Sequence, residues 1–133
     1  MMHNVALFGS IGIYTLSIVF HLLVIIQIIP SSIVWGGRLT NQQELFIFES
    51  ISIVLNVFFI LIMLLINGSI KVKVKAFFIR AIVWLMSCLF ILNTLGNLIA
   101  KSSIETIVFT PITIMLSVFS FYLAINFNKI YHS

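Results

Sequence analysis

Residues 45–66 read LFIFESISIVLNVFFILIMLLI, an apolar run whose only ionisable side chain is Glu49. As an α-helix this stretch is about 33 Å long, at a rise of about 1.5 Å per residue. The hydrocarbon layer of a bilayer is about 30 Å thick. The run is therefore long enough and apolar enough to cross a membrane as one helix.

Similar apolar runs fill most of the remaining sequence. They predict three further transmembrane helices, at residues 5–29, 76–100 and 104–127. The segments between them are short, so consecutive helices should pack side by side and antiparallel. The fold class predicted for residues 1–133 is a single all-α domain, a four-helix transmembrane bundle with short loops.

The composition supports a membrane environment. Of the 133 residues, 62% are hydrophobic and 8% are charged, whereas soluble domains carry about 25% charged residues. A soluble fold of this composition would expose large apolar patches and aggregate. The lipid bilayer is therefore expected to be the main partner.

The net charge of +4 comes from loops and helix ends, so no nucleic acid partner is expected.

Proline and glycine mark the breaks between the helices. Pro30 is expected to end the first helix, because proline cannot donate a backbone hydrogen bond. The loop that follows contains Trp35-Gly36-Gly37-Arg38. Its glycines permit a tight turn, and tryptophan favours the headgroup layer. Pro111 falls inside the fourth helix, where it predicts a kink or a local loosening.

The basic residues are distributed unevenly and predict the orientation. The first and third loops each hold one basic residue, Arg38 and Lys101. Five basic residues lie in the second loop, at the start of the helix that follows it and in the C-terminal tail: Lys71, Lys73, Lys75, Arg80 and Lys129. Because positive loops resist translocation, the second loop and both termini are predicted to be cytoplasmic.

The first helix is expected to be retained and not cleaved as a signal peptide, since its start has no Lys or Arg. With no eukaryotic targeting feature visible, the expected location is a bacterial inner membrane.

Polar residues collect at the outer ends of the predicted helices. An ionised carboxylate about one turn inside a membrane helix, such as Glu49, is costly and tends to be functional. Arg38 is expected to fold back and pair with it, because a guanidinium offers paired donors to a carboxylate. The predicted cluster, with a ligand-binding or a structural role, comprises Glu49, Arg38, Asn56, Asn93, Asn97, Glu105 and His21.

Several classes of chemistry are not expected. Cys88 is the single cysteine, so it cannot form an internal disulfide and is assigned to packing. His21 is the single histidine within a predicted helix, which disfavours a haem held by two histidines and a zinc site. The sequence therefore predicts no metal, no cofactor and no catalytic residue, since no known catalytic motif is found.

Two interpretations of the cluster stay open: a structural clasp that closes the outer mouth of the bundle, or a polar pocket. The leading functional hypothesis is a non-enzymatic membrane protein whose outward-facing pocket binds a small ligand or a partner segment. The second is a proton-coupled or cation transporter, which would need a homodimer because four short helices enclose little volume. The third is an enzyme acting on a lipid or quinone with Glu49 and His21 as acid and base. Their predicted depths differ by about 6 Å, so they would meet through substrate or water.

Overall fold

The computed structural model describes residues 1–131, and it places them in four long helices joined by short loops. The first three are α1 (Met2–Ile25), α2 (Gln42–Ile66) and α3 (Ala76–Leu98). The fourth span starts as a π-helical turn, Glu105–Phe109, and continues as α4 (Thr110–Ile125), which is followed by the short α5 (Phe127–Tyr131). All four spans are long and apolar enough to cross a membrane. The predicted all-α four-helix fold is confirmed.

The first helix ends earlier than the sequence predicts. It stops at Ile25 rather than at residue 29, because Gln27 adopts a left-handed conformation with φ of 62°. The backbone N–H groups of Ile28 and Ile29 both donate to the carbonyl of Leu23, which is a typical way of closing a helix C-terminus. Pro30 therefore follows the end of α1 and does not cause it.

The second helix begins three residues earlier than predicted, at Gln42. The side chain of Asn41 accepts a hydrogen bond of 2.8 Å from the backbone N–H of Glu44. This is the N-cap arrangement that asparagine favours, and it satisfies one of the free donors at a helix start. A polar cap thus extends α2 beyond its apolar run.

The third helix is slightly shorter than predicted. It ends at Leu98, two residues before the predicted end.

The bundle consists of two antiparallel pairs. The α1 helix packs along α2, and α3 packs along α4, while contact between α1 and α4 joins the pairs. The aromatic ring of Tyr14 on α1 lies 5.5 Å from that of Phe59 on α2 and 5.9 Å from that of Phe90 on α3. These rings anchor the apolar core, and large apolar side chains such as Leu16, Val54 and Leu85 remain exposed on the outside, as expected for helices surrounded by lipid.

Small hydroxyl side chains bring α3 and α4 close together. The hydroxyl of Ser87 donates to the carbonyl of Ser117 at 3.2 Å, and the hydroxyl of Ser117 donates to the carbonyl of Ser87 at 3.3 Å. Both serines are buried. Small residues allow membrane helices to approach closely, and each interhelical hydrogen bond adds about 0.6 kcal/mol. The pair therefore fixes the register of the α3–α4 hairpin.

Replacing Ser87 tests this packing. Ser87→Leu should lower resistance to unfolding much more than Ser87→Ala, because leucine must force the two helices apart whereas alanine loses only one hydrogen bond. Unfolding in mixed micelles with an increasing fraction of SDS measures the difference. The neighbouring exposed Cys88 provides the control, Cys88→Leu. Equal unfolding midpoints for the two leucine variants would show that the Ser87 contact does not hold the hairpin.

Candidate functional site

A buried carboxylate and a histidine meet where α1 and α2 approach the first loop. We call this the loop end of the bundle, the end that carries residues 26–41 and 99–104. There the Nδ1 atom of His21 lies 2.6 Å from Oε2 of Glu49, whose side chain is 0% exposed. The two residues contact each other directly, without a molecule between them. His21 lies one turn before the end of α1 at Ile25, and Glu49 lies about two turns after the start of α2 at Gln42.

The second oxygen of this carboxylate is bound by a loop residue. The indole Nε1 of Trp35 donates to Oε1 of Glu49 at 2.7 Å, and its ring packs at 5.0 Å against the ring of Phe48. The backbone φ of Trp35 is 55°, a left-handed conformation that is rare for a bulky side chain. Such strain costs about 1–3 kcal/mol. The hydrogen bond to the carboxylate, worth about 1.5–3 kcal/mol, is large enough to offset it.

The next residue along the chain binds the second buried acid. The backbone N–H of Gly36 donates to Oε1 of Glu105 at 2.9 Å, and Glu105 is 4% exposed. Two adjacent loop residues thus contact acids that belong to different helix pairs. We call residues 31–37 the cap loop. It consists of two short 3-10 turns, and its Val34 is buried against Val24 and Leu45.

A separate group of hydrogen bonds joins α3 to the fourth span at the same end. The hydroxyl of Thr94 lies 2.9 Å from that of Thr113, to which the amide of Asn97 also donates at 3.3 Å. The hydroxyl of Thr106 donates to the carbonyl of Asn97 at 2.9 Å. These side chains satisfy one another between the helices, which is the role expected of polar residues in membrane helix pairs.

Three of the predicted site residues, His21, Glu49 and Glu105, lie together beneath the cap loop, and Asn97 lies in the neighbouring α3 network. The predicted Arg38–Glu49 pair is not formed. Arg38 is exposed, and both oxygens of Glu49 are already engaged by other donors.

The other two asparagines also lie apart from the acids. The amide of Asn56 donates to the carbonyl of Ser52 on its own helix at 2.8 Å, and Asn93 is exposed. Helical spacing placed each of them on a polar face, but spacing along one helix does not determine whether that face meets another helix.

The donors supplied by the cap loop were missed from the sequence. Trp35 was interpreted as a headgroup residue, and Gly36 only as part of a turn. The sequence does contain one signal for the Trp35 contact. A tryptophan, which has an N–H donor, stands before two glycines in a loop next to helices that carry the three acids. A backbone N–H such as that of Gly36 has no signature in a sequence at all.

No known protein family, curated protein or solved structure matches this chain. The fold and the site define its class by themselves: a four-helix protein with four candidate membrane spans and two buried carboxylates under one cap loop. Within residues 1–131, no group of three or more His, Cys, Asp or Glu side chains is arranged to hold a metal ion. The function is therefore argued from the geometry of Glu49, Glu105 and their partners.

Trp35→Phe tests the contact between the cap loop and Glu49. Phenylalanine keeps a ring against Phe48 but removes the N–H, which leaves one buried carboxylate oxygen without its donor. We expect a loss of about 1.5–3 kcal/mol in the free energy of unfolding, measured in SDS mixed micelles. The matched control is Trp84→Phe, because Trp84 lies on α3 and packs edge-on against Phe121. A loss of equal size in both variants would contradict a specific role for the Trp35 N–H.

Proposed function

We propose that this chain is a non-enzymatic, multi-pass membrane protein that binds a small polar ligand beneath the cap loop, at Glu49 and His21. The observation that carries the proposal is the strained backbone of Trp35, whose indole N–H occupies Oε1 of the buried Glu49. Left-handed conformations of residues other than glycine cluster at ligand clamps and switch regions, where the strain is part of the mechanism. The indole then stands where a donor group of the ligand would bind.

The strain at Trp35 lowers the cost of opening the cap loop. Lifting Trp35 loses a hydrogen bond of about 1.5–3 kcal/mol but releases backbone strain of about 1–3 kcal/mol. The remaining attachments are the ring contact of Trp35 with Phe48, the apolar contacts of Ile33 and Val34, and the bond from Gly36 to Glu105. A ligand that binds only the open state must replace the energy of these attachments through its own contacts with the site.

The groups beneath the cap loop indicate the chemistry of the ligand. Glu49 offers an ionisable oxygen acceptor, and the imidazole of His21 lies in contact with it and is partly exposed. A solute that carries a protonated amine, or a hydroxyl group, would replace the indole as donor to Glu49. A guanidinium or amine on a partner segment would satisfy the same oxygen.

Glu49→Gln tests this proposal, because glutamine keeps the size of the side chain and removes its charge. The protein is extracted from its native membranes into nanodiscs and examined by native mass spectrometry. The wild type is expected to retain a small non-lipid molecule, which Glu49→Gln loses. Glu44→Gln is the control, since Glu44 accepts hydrogen bonds from Thr40 within the loop and lies away from the cluster.

Two results would overturn the ligand-binding proposal. One is a bound molecule that stays in Glu49→Gln at the wild-type level. The other is a Glu49→Gln protein that unfolds in detergent with no folded, empty species, in which case Glu49 belongs to a structural clasp that closes the bundle.

A second candidate function is proton-coupled or cation transport by a homodimer. The 2.6 Å contact between His21 and Glu49 favours it, because the contact joins two ionisable groups that lie on different helices. Proton relays in membrane proteins are built from His, Asp and Glu side chains of this kind. Crosslinking in native membranes should then trap a dimer, and transport by a protein that remains monomeric would exclude the dimeric mechanism.

We also propose that the loop end faces the outside of a bacterial cell membrane, with both termini in the cytoplasm. The support is the opposite end, where Lys71, Lys73 and Lys75 are exposed in the second loop. Positive loops are retained on the cytoplasmic side. The cap loop would then meet ligands from outside the cell.

Cysteine labelling tests the orientation in a Cys88→Ala background. A membrane-impermeant maleimide should label Ser103→Cys, at the loop end, in intact cells. It should label Ser69→Cys, at the lysine-bearing loop, only after the membrane is permeabilised. The reverse pattern would place the cap loop in the cytoplasm and contradict the proposed orientation.

A further inference from the structure

The start of the fourth span departs from regular α-helical hydrogen bonding. The backbone N–H of Thr110 donates to the carbonyl of Glu105, one residue further back than in an α-helix. Pro111 has no N–H, so it cannot donate a hydrogen bond to the carbonyl of Ile107. The carbonyls of Thr106 and Ile107 therefore lack their regular α-helical donors. Turns of the π type occur frequently at functional sites.

Two buried side-chain oxygens on this turn have no hydrogen-bond partner within the described chain. They are Oε2 of Glu105 and Oγ1 of Thr110, on residues that are 4% and 7% exposed. The π-type bond joins the backbones of these same two residues. A buried oxygen of a carboxylate is costly when it has no partner. The turn thus offers several oxygen atoms, and these two side-chain oxygens have no partner within the described chain.

We propose that this turn binds one small monovalent cation, such as Na⁺ or K⁺. Glu105 Oε2 and Thr110 Oγ1 are its side-chain ligands, and the carbonyls of Thr106 and Ile107 are the nearest backbone oxygens. Hard cations prefer such an all-oxygen set, whereas transition metals prefer nitrogen and sulfur ligands. A single carboxylate balances a single positive charge. A divalent ion would leave an uncompensated charge within the bundle, which is strongly unfavourable.

The site lies next to an opening to solvent. An open depression of about 470 Å³ lies at the loop end, between the cap loop and residues 101–104. Its wall includes Ile104, which directly precedes Glu105. Lys101 lies on its rim and is exposed, so water and salt screen its repulsion of an entering cation. Backbone carbonyls freed where a membrane helix is interrupted coordinate Na⁺ in transporters.

The cation would also stabilise the cap loop, because Oε1 of Glu105 accepts the bond from Gly36. A cation that holds the side chain of Glu105 in place also holds the acceptor of this hydrogen bond in place. The inference does not rest on the proposed ligand site at Glu49. The cation site uses residues of the fourth span alone, and each site is tested with variants of its own.

The test is thermal unfolding of the detergent-purified protein as Na⁺ or K⁺ replaces choline at constant ionic strength. The wild type should show a saturable rise in Tm with one of the two cations, since a ligand that binds only the folded state stabilises it. Glu105→Gln should abolish the rise, and the control Glu44→Gln should retain it. Equilibrium dialysis with ²²Na⁺ or ⁸⁶Rb⁺ should give one bound ion per chain.

Thr110→Val keeps the shape of the threonine and removes one ligand, so the affinity for the cation should fall about tenfold, the equivalent of about 1.4 kcal/mol. This variant carries the test if Glu105→Gln does not fold. A Tm that is insensitive to cation identity would overturn the proposal, and would indicate that Glu105 holds a proton or a water molecule instead. An unchanged cation response in Thr110→Val and Glu105→Gln would overturn it as well.

Discussion

The architecture of this chain depends on the absence of hydrogen-bond donors in hydrocarbon. A carboxylate that enters the apolar part of a helix bundle must take its donors from the protein. Glu49 and Glu105 are both buried at the loop end. Within the described residues their hydrogen-bond partners are an imidazole, an indole and a backbone amide, and not a lysine or an arginine. The positions of α1, α2, the cap loop and the fourth span at this end are set by that requirement.

The cap loop satisfies the requirement by connecting the two helix pairs. Trp35 reaches the acid of α2, and Gly36 reaches the acid of the fourth span. The connection is made through single hydrogen bonds, one buried valine and the ring contact of Trp35 with Phe48, and it includes a strained tryptophan. Such an attachment is smaller than the apolar packing between the helices, which buries Tyr14 and the rings around it. The proposed opening of the cap loop would therefore leave the bundle assembled.

The two acids differ in how completely they are satisfied. Both oxygens of Glu49 have hydrogen-bond partners. Glu105 has a donor on one oxygen, and its other oxygen has no partner within the described chain. The difference follows from the groups that reach each acid, since His21 and Trp35 contact the two oxygens of Glu49 whereas the N–H of Gly36 contacts one oxygen of Glu105. The two proposals for this end of the bundle, a polar ligand at Glu49 and a small cation at Glu105, follow from that difference.

The sequence by itself determined the four spans, since apolar runs of about 20 residues admit few alternatives to a membrane helix. It also placed Glu49 and Glu105 near the same end of the bundle, with His21 about 6 Å deeper than Glu49. Only the tertiary structure decided which groups meet. A hydrogen bond requires donor and acceptor within about 3 Å, and the cap loop, with its left-handed backbone at Trp35, brings the indole within that distance of Glu49. Charge complementarity favoured Arg38 as the partner of Glu49, but local backbone geometry brought an indole there instead.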